Sequence, residues 1–149
     1  MRNFLCMSTM TLMLLGCSDQ GIPLQPSMQV SDNRIISVLT DKYSYSPSEK
    51  INIQLHNGST ASIYLGHCNY RIGFWIERRI NDTWVETGSV AVLCQALYPS
   101  GTTVLSTNAL WRDTITITDP GIYRFRYQFD APALQITAGS LVTNQFTIQ

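Results

Sequence analysis

Charge is scarce in this 149-residue chain: Lys, Arg, Asp and Glu make up 13% of it, about half of the roughly 25% usual for a globular protein. Ten basic residues balance ten acidic ones, so no net field draws the chain toward nucleic acid or an acidic membrane surface. Histidine occurs twice and cysteine four times, with neither CxxC nor HxxxH spacing. Compact zinc sites are built on such spacings, so no metal is signalled. There is no GxSxG, no HExxH and no glycine-rich phosphate loop, so serine hydrolases, zinc proteases and nucleotide enzymes lack their local signatures here. No catalytic residue, cofactor or small-molecule substrate is indicated. No apolar run reaches the roughly 20 residues of a membrane-spanning helix, and no internal repeat is visible.

What the chain has instead is strand-forming sequence. Hydrophobic residues make up 44% of it and include seven tyrosines, enough to fill a core and to exclude a disordered chain. Thr, Ser, Asn and Gln replace the missing charges, and with the β-branched residues they describe an all-β surface. From residue 34 strand signals arrive at short intervals: "RIISVLT" (34–40), "KINIQLHNG" (50–58), "TASIYLGHC" (60–68), "YRIGFWIERR" (70–79) and "TWVET" (83–87). "GTTVLST" (101–107) and "DTITIT" (113–118) supply another strand region across a loop, and "GIYRFRYQF" (121–129) and "VTNQFTIQ" (142–149) follow. In the second of these, Ile51, Ile53 and Leu55 alternate with Asn52, Gln54 and His56, the period of a half-buried strand. "DKYSYSPSEK" and "IND" are expected to be turns, and Trp111 to lie in a loop. Seven or eight short antiparallel strands in a little over a hundred residues predict an all-β sandwich.

Groups able to do chemistry are dispersed. Asp41, Glu49, Glu77, Asp82, Glu86, Asp113, Asp119 and Asp130 stand singly. "GHC" puts His67 beside Cys68, but neighbours on a strand point to opposite faces, so the imidazole is poorly placed to deprotonate the thiol. A metal site joining Cys68 or Cys94 to His67 or His56 lacks a second nearby ligand. Asn57 in "NGS" and Asn81 in "NDT" fit the glycosylation pattern and are read as turns.

The N-terminus is different in character. Arg2 is the only charge before "FLCMSTMTLMLLG" (4–16), thirteen uncharged, mostly apolar residues. A basic start, an apolar stretch of this length and a small residue at its end describe a secretory signal. A buried N-terminal helix is the competing reading, and the polar, proline-bearing "SDQGIPLQPSMQVSDN" that follows argues against it. "LLGC" (14–17) resembles the lipobox of bacterial lipoproteins. That resemblance implies cleavage after Gly16, so that 1–16 is a signal peptide, and acylation of Cys17, which would hold the chain to the membrane. Several acyl chains, at about 0.8 kcal/mol per buried methylene, anchor stably where one does not. Ser18 after the cysteine favours the outer membrane within this class. Residues 17–33 are expected to be the lipidated end and a flexible tether, and 34–149 the folded domain. Processing would remove Cys6 and consume Cys17, leaving Cys68 and Cys94 as one pair in an oxidising compartment, most simply a disulfide.

"DPGIY" (119–123) has the D-x-G-x-Y form that leads into strand F of immunoglobulin-like domains. The resemblance implies a corner in which the Tyr123 ring packs under the turn, its hydroxyl bonds to backbone upstream, Gly121 supplies the turn and Asp119 shapes it. Antibody domains carry a cysteine two residues after the tyrosine; here Phe125 occupies that place. The stretch from about residue 35 to 149 is similar to small Ig-like domains of bacterial envelope proteins. It is also distantly similar to the BsuPI-type proteinase-inhibitor domain, with "LYPSGTT" (97–103) as the matching exposed loop.

If Tyr123, Phe125 and Tyr127 face the core, alternation sends Arg124 and Arg126 outward. Placing Ile72, Phe74 and Ile76 inward likewise sends Trp75, Glu77 and Arg79 outward. Strands C and F are neighbours in Ig-like sandwiches, so Trp75, Arg79, Arg124 and Arg126 are expected to share one exposed face, where an envelope protein partner would bind. The competing reading is a solvated face on which Glu77 pairs with an arginine and Trp75 is covered by the loop around Trp111. The expected protein is thus a lipid-anchored, non-catalytic Ig-like binding or structural module of the cell envelope. A proteinase-inhibitor module and, further off, a periplasmic enzyme are the other classes.

Overall fold

A computed structural model describes residues 27–30, 34–92 and 100–149. Among the described residues the chain forms β1 (Ser27–Val30), β2 (Arg34–Thr40), β3 (Ser44–Tyr45), β4 (Lys50–Asn57), β5 (Ile63–Cys68), β6 (Arg71–Ile72) and β7 (Phe74–Ile80). Then follow β8 (Thr83–Val90), β9 (Ser100–Leu105), β10 (Leu110–Thr116), β11 (Gly121–Ala131), a 3₁₀ turn (Pro132–Leu134), β12 (Ile136–Val142) and β13 (Phe146–Ile148). The fold is an all-β sandwich. One sheet has the order β1-β2-β4-β10, antiparallel throughout. The other is organised on β11, which carries β13 and then β12 along one side and β7 and then β5 along the other. β8 extends β7, β6 and β9 flank β5, and β3 joins β13 in parallel.

The strand period decides what is inside. On β4, Ile51, Ile53 and Leu55 are buried and Asn52 and Gln54 exposed, as their alternation requires. On β11, Tyr123, Phe125, Tyr127 and Phe129 turn inward. Phe125 is fully buried between Phe74 and Phe146, with ring centres 5.2 and 5.1 Å away, so aromatic packing fills the place of a sulfur bridge. The β7–β8 hairpin closes on Asn81 and Asp82, with φ of 47° and 62°, the two-residue turn whose twist suits adjoining antiparallel strands.

Several boundaries differ from expectation. The sequence led to seven or eight strands; the described residues form thirteen, because short ladders such as β3 and β6 add to the long ones. Residues 27–30, expected in the tether, form β1, pairing "SMQV" antiparallel with the β-rich "RIIS" of β2. Ser44 and Tyr45 pair with β13 inside a stretch expected to be all turn, since the Tyr45 ring packs edge-on to Phe146 in the core. Trp111 lies in β10, not in a loop, because "WRDTIT" pairs residue by residue with Leu55 to Lys50 of β4. β12 was not anticipated. Cys17, Cys94 and residues 97–99 of the "LYPSGTT" loop lie outside the described residues, while Ser100, Gly101, Thr102 and Thr103 belong to β9.

Candidate functional site

Adjacent positions on β7 and β11 bring the expected face together. Arg124 stands directly across from Glu77, and Arg126 from Trp75. The Glu77 carboxylate accepts from both arginines: Arg124 Nε to Oε2 at 2.6 Å and Arg126 Nε to Oε1 at 2.7 Å. Arg126 also reaches Glu86 on β8 with Nη2, at 3.2 Å. The two guanidinium planes then cover aromatic rings, Arg126 lying 4.5 Å from the Trp75 ring centre and Arg124 4.3 Å from that of Trp84. The outer face therefore carries a continuous layer, Trp84–Arg124–Glu77–Arg126–Trp75.

This layer explains why an outward-facing glutamate is only 7% exposed. Glu77 is covered by the arginines that neutralise it. Burial pushes its carboxyl up, but donation from Arg126 and Arg124 and their positive charge outweigh that and hold it below the ordinary value. With both oxygens engaged, the group holds charge in place and is poorly suited to proton transfer. Glu86 stands across from Glu77 in the hairpin register, a like-charge pair that Arg126 bridges by bonding to both. Each cation–π contact contributes about 0.5–2 kcal/mol, depending on how dry it is. The result is a flat, near-neutral surface of stacked planes.

The face differs from expectation in membership. Arg79 turns to the hairpin end, where it pairs with Asp82 at 2.9 Å. Trp84 and Glu86 were missed. The signal was present, since an "IND" hairpin places Trp84 across from Arg79 and Glu86 across from Glu77. Trp111 does not cover Trp75; its ring meets Tyr127 edge-on, with centres 6.4 Å apart.

The corner residues lie at the start of β11, next to this layer. Tyr123 Oη donates to the Asp119 carbonyl at 3.0 Å, and the ring stacks on Phe146 with centres 6.1 Å apart. Arg78 lies across the Tyr123 ring and donates to the Pro120 carbonyl at 2.7 Å. Gly121 has φ of 157°, and an added Cβ would lie 2.7 Å from Arg78 Nε, so this position suits glycine for both backbone and space. Asp119 serves the corner through its backbone carbonyl.

His56 sits on the polar side of β4, across from Ser37 and Leu110. His67 Nδ1 lies 2.9 Å from Thr103 Oγ1, and its ring stacks on exposed Tyr70. Cys68, the next residue, is buried. Asn57 is not a surface turn: it is fully buried, with its amide donating to the carbonyls of Ala61 and Leu105, both at 2.8 Å. Asn81 is exposed in the β7–β8 turn. Among the described residues no three His, Cys, Asp or Glu side chains converge on one point.

No family model and no curated protein matches the chain. Among solved structures it is similar to the Pseudomonas fluorescens alkylpurine DNA glycosylase AlkC bound to DNA containing an abasic site analog, at 13% identity and a TM-score of 0.43, over 78% of this chain and 30% of that one. It is similar to Spo0M, a sporulation control protein from Bacillus subtilis, also at 13% identity and 0.43, over 76% of this chain and 47% of that one. The chain thus spans less than half the length of either structure.

Proposed function

We propose that the chain is a lipid-anchored protein of the bacterial envelope, held at the outer membrane through Cys17. In this reading its Ig-like sandwich is a non-catalytic module that binds an envelope protein or supports an envelope assembly. The observation that carries the reading is "LLGC" at the end of a thirteen-residue uncharged stretch, followed by a polar segment and then by strands. Partner binding is supported by the Trp84–Arg124–Glu77–Arg126–Trp75 layer. Tryptophan and arginine dominate interface hot spots, and side chains already stacked lose little further freedom when a partner arrives. The anchor is tested by fatty-acid labelling of Cys17→Ala in a bacterial host: label should disappear and the precursor should persist, whereas a variant that still labels refutes the anchor. The face is tested by Trp75→Ala, which should fold yet lose the partner that wild type recovers from envelope membranes; undiminished recovery refutes the binding role.

A further inference from the structure

The outer face of the four-stranded sheet has the opposite electrostatic character. A groove of about 610 Å³ crosses β2, β4 and β10 there, within the roughly 300–1,000 Å³ typical of small-ligand sites. At its β10 end lies Arg112, exposed and without an ion pair or hydrogen bond among the described residues, directly across from Gln54. At its other end lies Asp41, which accepts from Tyr45 Oη at 2.7 Å, the Asn52 backbone at 3.1 Å and Asn52 Nδ2 at 2.6 Å; it forms no salt bridge among the described residues, its neighbour Lys42 pairing with Glu49. Between them Leu39 gives an apolar floor, and Gln54, Asn52 and Thr114 offer amide and hydroxyl groups.

We propose that this groove binds a short zwitterionic peptide, its carboxylate on Arg112 and its ammonium on Asp41. Spacing favours that class. Two inter-strand steps of about 4.8 Å and a two-residue offset along β2 separate the charged positions by roughly 12 Å. An extended tripeptide spans about 10–11 Å, and the arginine side chain covers the remainder. A simple anion would leave Asp41 unmatched, and a simple cation would leave Arg112 unmatched. The site is independent of the Trp75 face and of the anchor.

Titration calorimetry of the full-length protein in detergent with trialanine tests the proposal. Saturable binding is expected, weakened about three- to fivefold when the carboxylate is amidated, when the amine is acetylated, or in Arg112→Gln, as for loss of one exposed charge pair. Arg112→Gln removes no bond from the fold, so its melting should match wild type. Absence of saturable heat with trialanine overturns the proposal, as does equal affinity for the amidated peptide or for Arg112→Gln.

Discussion

Glu77→Gln isolates what the Trp–Arg layer contributes to the fold. The substitution keeps the shape and one carbonyl acceptor but removes the charge that holds two guanidinium groups, and it turns an amide N–H toward one of them. Hydrogen bonds to charged groups contribute about 1.5–3 kcal/mol each, so losing both outright would cost about 3–6 kcal/mol. Neither arginine is stranded, however. Their side chains keep 25% and 24% exposure, and Arg126 retains Glu86 at 3.2 Å. Recovered hydration brings the expected loss to about 2–3 kcal/mol, or roughly 8–12 °C in melting midpoint for a domain of this size.

Glu86→Gln is the internal control. Its carboxylate is 51% exposed and makes one longer contact, so its loss should stay within about 1 kcal/mol. Thermal unfolding followed by tryptophan fluorescence reports on Trp75 and Trp84 of the layer together with Trp111. The pH dependence has a fixed sign. The folded-state pKa of Glu77 lies below its unfolded value, so its stabilisation is full above the unfolded pKa of about 4.3 and is lost as pH falls through the folded value. The gap between wild type and Glu77→Gln should therefore be constant near neutrality and close in acid. If Glu77→Gln melts within about 0.5 kcal/mol of wild type, indistinguishable from Glu86→Gln, the layer is ordinary surface pairing.

Three further outcomes follow from the packing. Tyr123→Phe should cost about 0.5–1.5 kcal/mol by removing the bond to the Asp119 carbonyl; a melting midpoint equal to wild type would show that the hydroxyl adds nothing to the corner. Gly139→Ala should cost about 1–3 kcal/mol, since the new Cβ would lie 2.5 Å from Phe129 Cζ across the β11–β12 ladder; an unchanged unfolding midpoint in denaturant would mean that the ring simply moves aside. Cys68 and Cys94 should appear as one linked species in a non-reducing peptide map, and their double Ser variant should lose about 3–4 kcal/mol; recovery of both as free thiols from oxidised protein would exclude the pair.

Legibility in the sequence tracked periodicity. β4 and β11 could be read residue by residue because each buries one face, which fixes which side chains point inward. The core positions of Phe125 and Tyr127 and the outward turn of Arg124 and Arg126 came from that alternation. β12 was hidden because "ITAGSLV" spends two positions on Ala138 and Gly139, the latter lying under the Phe129 ring. β3 was hidden by Ser and Pro around two paired residues, its reason for existing being the distant Phe146. For the face, alternation gave Trp75, Arg124 and Arg126. Arg79 was drawn away by a charge three residues on, and Trp84 was carried in by hairpin register, a pairing that no single-strand pattern contains.

The two outer faces of the sandwich place different demands on whatever meets them. On β7, β8 and β11 two arginines already have two glutamates and two aromatic rings, so a partner gains rigid planes and little Coulomb energy. Binding there should depend weakly on salt and strongly on shape, because a partner that pulled Arg126 from Glu77 would leave a covered carboxylate half-paired. Beside β2, β4 and β10, Arg112 and Asp41 are exposed and form no salt bridge among the described residues, so binding there should weaken steeply as ionic strength shortens the Debye length from about 10 Å at 0.1 M to about 3 Å at 1 M. Salt titration of any bound species thus assigns it to a face before a single residue is changed. A partner whose affinity holds in high salt belongs with the tryptophans, and one that is released belongs with Arg112.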